Sequence, residues 1–78
     1  MEGFSILRAA QAHQLHKQAY ALFCGHRDYP WQYATFEKAL TSPNSLLVQF
    51  NNECVGYAAV SEVAGEVEIE DICVASEY

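Results

Sequence analysis

Between Glu66 and Val74 the alternation of apolar and polar residues changes phase, and few strand arrangements tolerate such a switch. Val67 and Ile69 are apolar at odd positions, while Glu66, Glu68 and Glu70 are polar at even ones, the period-two pattern of a half-buried strand. Past Asp71 the apolar positions become even, at Ile72 and Val74. A strand keeps both sets on one face only by inserting an extra residue, a β-bulge. The spacing predicts this bulge near Glu70 and Asp71, with Ile72 and Val74 continuing the face that points into the core. A bulge leaves backbone N–H and C=O groups without ladder partners, and such groups can pair with a ligand's amide.

The rest of the chain supplies the layers against which that strand packs. Phe4 to Ala9 alternates well enough for a first strand. Ala12, Leu15, Ala19, Leu22 and Phe23 recur at helical spacing, so Ala10 to Cys24 reads as an amphipathic helix with Gly25 as its C-cap. His26 to Gln32 breaks the period at Pro30 and reads as a loop. Tyr33, Phe36, Ala39 and Leu40 resume helical spacing until Ser42-Pro43, with a poor N-cap. Leu46, Val48 and Phe50 then alternate, Asn51-Asn52 suits a hairpin turn, and Val55, Tyr57 and Ala59 carry a strand on to Val63 and the turn Ala64-Gly65. The expected architecture is α+β, of order β-α-α-β-β-β with an antiparallel meander, in one domain over residues 1–78.

Charge narrows the partners. Net charge is −6 and the four fixed cations, Arg8, Lys17, Arg27 and Lys38, are scattered, so no basic stripe exists to follow a phosphate backbone and nucleic acid is not an expected partner. Glu62 to Glu77 holds six acids and no base, which is either a solvated edge or a surface attractive to a cationic peptide. No apolar run has the length of a membrane span, and three cysteines without C-x-x-C spacing read as buried free thiols, so a cytoplasmic protein with no membrane partner is expected. His13 and His16 lie one turn apart, with Cys24 and His26 further on; spacing alone does not make a metal site, and the two histidines are expected on the polar helix face, with no metal bound. Gly3, Gly25, Gly56 and Gly65 are isolated, so there is no glycine-rich phosphate cradle.

Asp71-Ile72-Cys73-Val74-Ala75-Ser76-Glu77-Tyr78 resembles the strand that reads N-I-A-V-x-x-x-Y in GNAT-type N-acetyltransferases, nearest the ribosomal-protein alanine N-acetyltransferase branch. Pro30-Trp31, Phe36 and Val55-Gly56-Tyr57 fall in the same order as in that family. The resemblance implies acetyl-CoA as co-substrate, held by the backbone of Ile72, Cys73 and Val74, and an amine or peptide acceptor. It also implies a subsequent pyrophosphate loop, Q/R-x-x-G-x-G/A, which the sequence ends short of at Tyr78. The resemblance therefore covers the N-terminal half of such an enzyme, and this chain alone is expected to bind acetyl-CoA weakly or not at all. Glu68 resembles the glutamate base of histone-type members, the alternative being a solvent-facing strand residue. Tyr29, Pro30 and Trp31 resemble the acceptor rim, the alternative being a lid on the core. The rival to acetyl transfer is a non-catalytic module whose exposed sheet pairs with a second copy or a complementing chain.

Overall fold

The computed structural model describes residues 3–76. Strand β1 (Phe4–Arg8) leads through two short 3-10 turns, Ala9–Gln11 and His13–Leu15, into helix α1 (His16–His26), and then helix α2 (Tyr33–Leu40). Strands β2 (Leu46–Phe50), β3 (Glu53–Val63) and β4 (Glu66–Val74) complete the chain as a meander. All four strands form one antiparallel sheet in the order β1-β2-β3-β4. Both hairpins close through two-residue turns with positive φ, Asn51 and Asn52 in one, Ala64 and Gly65 in the other. That backbone matches the twist of the flanking strands.

Both helices lie on one side of the sheet, and the core fills the space between. Phe23, Phe36, Leu40 and Leu47 are fully buried, each contributing about 1.5–3 kcal/mol by leaving water. Phe23 stacks on Phe36 with ring centroids 4.8 Å apart, and Tyr57 meets Phe36 edge-on at 5.3 Å, a favoured aromatic geometry. Ser45 ties α2 to the sheet: its hydroxyl donates to the Ala39 carbonyl at 2.8 Å and accepts the Val60 amide at 2.9 Å. Among the described residues no helix is long and apolar enough to cross a membrane.

The start of α1 departs from the sequence reading. The expected helix from Ala10 is replaced by two i→i+3 turns, closed by Ala12 N–H to the Ala9 carbonyl at 3.1 Å and Leu15 N–H to the Ala12 carbonyl at 2.9 Å. Ala9, Ala12 and Leu15, all buried, are spaced by three, the period of a 3-10 helix. The turns change the angular phase at which α1 begins, so His16 points inward and is fully buried rather than lying on the polar face. Gly25 is not a cap either; α1 runs through it to His26, and Arg27 caps the end in an extended conformation. Helix α2 ends at Leu40, two residues before Ser42, and Gln32 gives it no side-chain cap.

The phase switch in β4 is met by the expected bulge. Ala59 pairs with Asp71 and the next residue, Val60, pairs with Ile69, so Glu70 is the extra residue. Directly opposed residues share a face, which puts Val67, Ile69, Ile72 and Val74 together with Glu62, Val60, Ala58 and Gly56. The face is not the one expected. Ile72 and Val74 are 60% and 62% exposed, because they lie on the side of the sheet away from α1 and α2. It is Asp71 that turns under the helices and is buried. A second bulge, not legible in the alternation, makes Val55 the extra residue on β3, since Val48 pairs with Gly56 and Gln49 with Cys54.

Candidate active site

The bulge rotates the Asp71 side chain to the helix side, where the last turn of α1 and the residue after it meet it. Tyr57, in β3, donates its hydroxyl to Asp71 Oδ2 at 2.5 Å. Arg27 donates from its guanidinium to Asp71 Oδ1 at 2.9 Å. His26 Nε2 lies 3.2 Å from Asp71 Oδ2 and 3.0 Å from the Tyr57 hydroxyl. Asp71 is 8% exposed, while the His26 and Arg27 side chains are 35% and 38% exposed. One buried anion is thus held by two groups that reach solvent and one that does not. Arg27 is held from its other side as well, 5.6 Å from the Phe23 ring and 5.8 Å from the Trp31 ring, at cation–π range.

Burial alone would raise the Asp71 carboxyl, but the Tyr57 hydroxyl, the Arg27 guanidinium and His26 outweigh it and hold the group below its ordinary 3.8. Asp71 is ionised at neutral pH. Burial, and then the bond to Asp71, pushes the Tyr57 hydroxyl well above its ordinary range, so it remains a proton donor to the carboxylate. Burial also raises the thiols of Cys54 and Cys73, with the Asp71 charge adding to the effect on Cys73. Both thiols are therefore protonated and weakly nucleophilic at neutral pH. All three cysteines are free; Cys54 is buried as expected, while Cys24 and Cys73 are only partly so.

The structure joins some of the residues singled out by sequence and separates others. Ile72, Cys73 and Val74 directly succeed Asp71 on β4, which is an edge strand, so one row of its amide groups has no neighbouring strand among the described residues. Cys73 faces the helices opposite Tyr57. Glu68 is exposed and opposite Ser61, on the hairpin side of the bulge and outside the Asp71 cluster. The aromatic loop divides: Trp31 packs on Phe23 at 5.2 Å with its carbonyl accepting the Tyr20 hydroxyl at 2.8 Å, whereas Tyr29 is 93% exposed and Pro30 also faces solvent. Trp31 thus covers the core, and the other two face solvent. Glu77 and Tyr78, part of the segment that carries the resemblance, lie outside the described residues. Sequence reasoning does not group Asp71 with His26, Arg27 and Tyr57. The available signal is an acid placed at the phase switch itself, where alternation gives no reason for one.

No protein-family model and no curated protein matches the sequence. The fold does match a solved structure, the ribosomal-protein-S18-alanine N-acetyltransferase from Escherichia coli, with a TM-score of 0.75 at 18% identity. The match covers 96% of this chain and 48% of that one, so the chain spans about half the length of its structural neighbour. The four-strand sheet, its meander and the two helices on one face are thus a fold shared with about half of that N-acetyltransferase.

Proposed function

We propose that this chain forms the acetyl-CoA-binding strand and acceptor-side helices of an N-acetyltransferase that transfers acetyl from acetyl-CoA to an amine, the α-amine at a protein N-terminus being the favoured acceptor. The observation that carries this reading is the bulge at Glu70 on an edge strand, which provides unpaired peptide groups beside Ile72, Cys73 and Val74 for the amides of a pantetheine arm. In the reaction the amine lone pair attacks the thioester carbonyl carbon. A C–N bond forms, the C–S bond breaks, the CoA thiolate leaves, and the proton lost by the ammonium passes to a base. Two groups are candidates for that base. Glu68 is solvated and lies before the bulge; His26 lies at it, its Nε2 in hydrogen-bonding reach of the Asp71 carboxylate, which orients the ring. Tyr29 and Pro30, exposed next to this cluster in sequence, fit an acceptor rim, and the acidic β4 favours a cationic acceptor. Titrating acetyl-CoA while tracking the amide resonances of Ile72, Cys73 and Val74 tests the reading. Weak shifts that saturate only towards millimolar ligand are expected at these three, and their absence there overturns the reading for this chain.

The rival reading, a non-catalytic module that associates through its sheet with a second copy or a complementing chain, draws on a separate observation. Ile6, Val67, Ile69, Ile72 and Val74, on the side away from the helices, are each at least 60% exposed, and apolar patches of this kind mark interaction surfaces. Sedimentation equilibrium separates the readings: a dimer that dissociates when Ile69 and Ile72 are changed to Lys favours association, and a monomer at high concentration removes it.

A further inference from the structure

His16 is a buried imidazole with one nitrogen unaccounted for. Its Nε2 lies 2.6 Å from the Ala9 carbonyl oxygen, which has no proton to give, so Nε2 carries the hydrogen and donates it. Its Nδ1 is buried and has no hydrogen-bond partner. In the neutral ring Nδ1 therefore presents a lone pair, and that lone pair faces Glu37 Oε2, 3.8 Å away. The carboxylate oxygen already accepts the Tyr33 hydroxyl at 3.0 Å. Two acceptors facing each other, one fully buried and the other, Glu37, 42% exposed, repel unless something positive lies between them.

A proton on Nδ1 would satisfy those two, but a third donor converges on the same point. One donor atom from each of His13, His16 and Glu37 lies within 4.8 Å of the other two, and the two imidazole rings are 4.7 Å apart between centroids. A tetrahedral zinc ion with bonds of about 2.0–2.2 Å holds its ligand atoms roughly 3.3–3.6 Å apart. The 3.8 Å pair is close to this already. His13 is exposed and sits in a 3-10 turn, so its ring has room to close the remaining distance. Donation of the other ring N–H to a backbone carbonyl, as His16 does to Ala9, is the usual support for a metal-bound histidine.

We propose that His13, His16 and Glu37 form a binding site for a divalent transition metal of the zinc class, water completing the coordination. Two imidazoles and one carboxylate form a borderline donor set that suits zinc over magnesium or calcium. The ion joins the uncapped start of α1 to α2, and by binding the folded arrangement alone it stabilises it. The site is ten residues up α1 from His26, about 15 Å along the axis, and so is independent of the Asp71 cluster and of the acetyl-transfer reading. The burial of His16 corrects the expectation of a polar helix face for that residue, while His13 is exposed as expected.

The test is zinc binding to the chain by calorimetry, with cobalt substitution read by visible absorption, on wild type and on the variants His13→Asn and Glu37→Gln, both at positions that tolerate polar replacement. Expected are one zinc per chain, a cobalt spectrum of nitrogen and oxygen ligands without thiolate charge-transfer bands, a higher Tm with zinc, and affinity lowered in each variant by more than roughly the tenfold that even an outer-shell change causes. No zinc binding, thiolate bands, or affinity unchanged in both variants overturns the proposal. So does a metal-free ¹⁵N spectrum of the folded chain showing His16 protonated on Nδ1.

Discussion

Replacing Tyr57 with Phe removes a single hydroxyl and leaves the ring in its edge-on contact with Phe36. The loss is the 2.5 Å bond to the Asp71 carboxylate. A hydrogen bond to a charged group contributes ~1.5–3 kcal/mol. Asp71 is 8% exposed, so water replaces the lost donor poorly; His26 at 3.2 Å remains and offsets part of the loss. The expected destabilisation is about 2 kcal/mol, which for a domain of this size lowers Tm by roughly 8–16 °C. The deficit must depend on pH in a specific sense. Because the folded carboxyl is held below its ordinary 3.8, its stabilising contribution is complete above that value and is lost as pH falls through the folded value. The gap between wild type and Tyr57→Phe is therefore full at neutral pH and shrinks in acid. Thermal unfolding by circular dichroism at neutral and acidic pH reads both quantities. An unchanged Tm at neutral pH, or a gap that widens on acidification, refutes the assignment of Asp71 as a buried, hydrogen-bonded anion.

Single positions carry further expectations. The raised Tyr57 hydroxyl contributes stability that is complete below the ordinary tyrosine value of 10.0 and is lost as pH rises past it; alkaline unfolding curves of wild type should show this loss and those of Tyr57→Phe should not. Gly25 lies inside α1 without positive φ, and a Cβ there meets nothing within 4 Å, so Gly25→Ala should stabilise the chain by about 0.5–1 kcal/mol in chemical denaturation. Gly56→Ala should do the reverse, by ~1–3 kcal/mol, because the new methyl would lie 3.0 Å from the Cys73 carbonyl oxygen. A Gly56→Ala variant as stable as wild type would mean that β3 and β4 are less closely apposed there.

Much of the fold is legible in the sequence because the two backbone periods are legible. The meander, both hairpin turns and the bulge can be placed from where apolar residues fall, and the structure has each of them. Which side of the sheet an apolar row occupies is not legible. Alternation specifies that Val67, Ile69, Ile72 and Val74 share a face, but an apolar row reads the same whether helices cover it or not. The buried phase of β4 is carried by Asp71 and Cys73, and hydrophobicity ranks the acid last among candidates for a core position. The start of α1 is obscured for a related reason: Ala9, Ala12 and Leu15 fit a period of three, but that run is too short to separate from 3.6. Read with the longer period, the same residues put His16 on the solvent side. Polar groups buried by tertiary contacts, Asp71 by Tyr57 and Arg27, and His16 by Ala9 and Glu37, leave no periodic signal, because their partners lie on other elements.

The bulge has a structural and a functional aspect that can be separated. Since Ala59 pairs with Asp71 and Val60 with Ile69, deleting Glu70 would leave every pair of the β3–β4 ladder in place and remove only the extra residue. A purely architectural bulge would be dispensable, and a ligand-binding one would not. The decisive measurement is the acetyl-CoA-induced amide shift across Ile69 to Val74, compared between the wild-type chain and the Glu70 deletion, with Tm recorded for both. Localised, weak shifts that saturate towards millimolar ligand are expected in wild type and should vanish in the deletion while the fold persists; equal shifts in the two chains would contradict a ligand-binding role for the bulge.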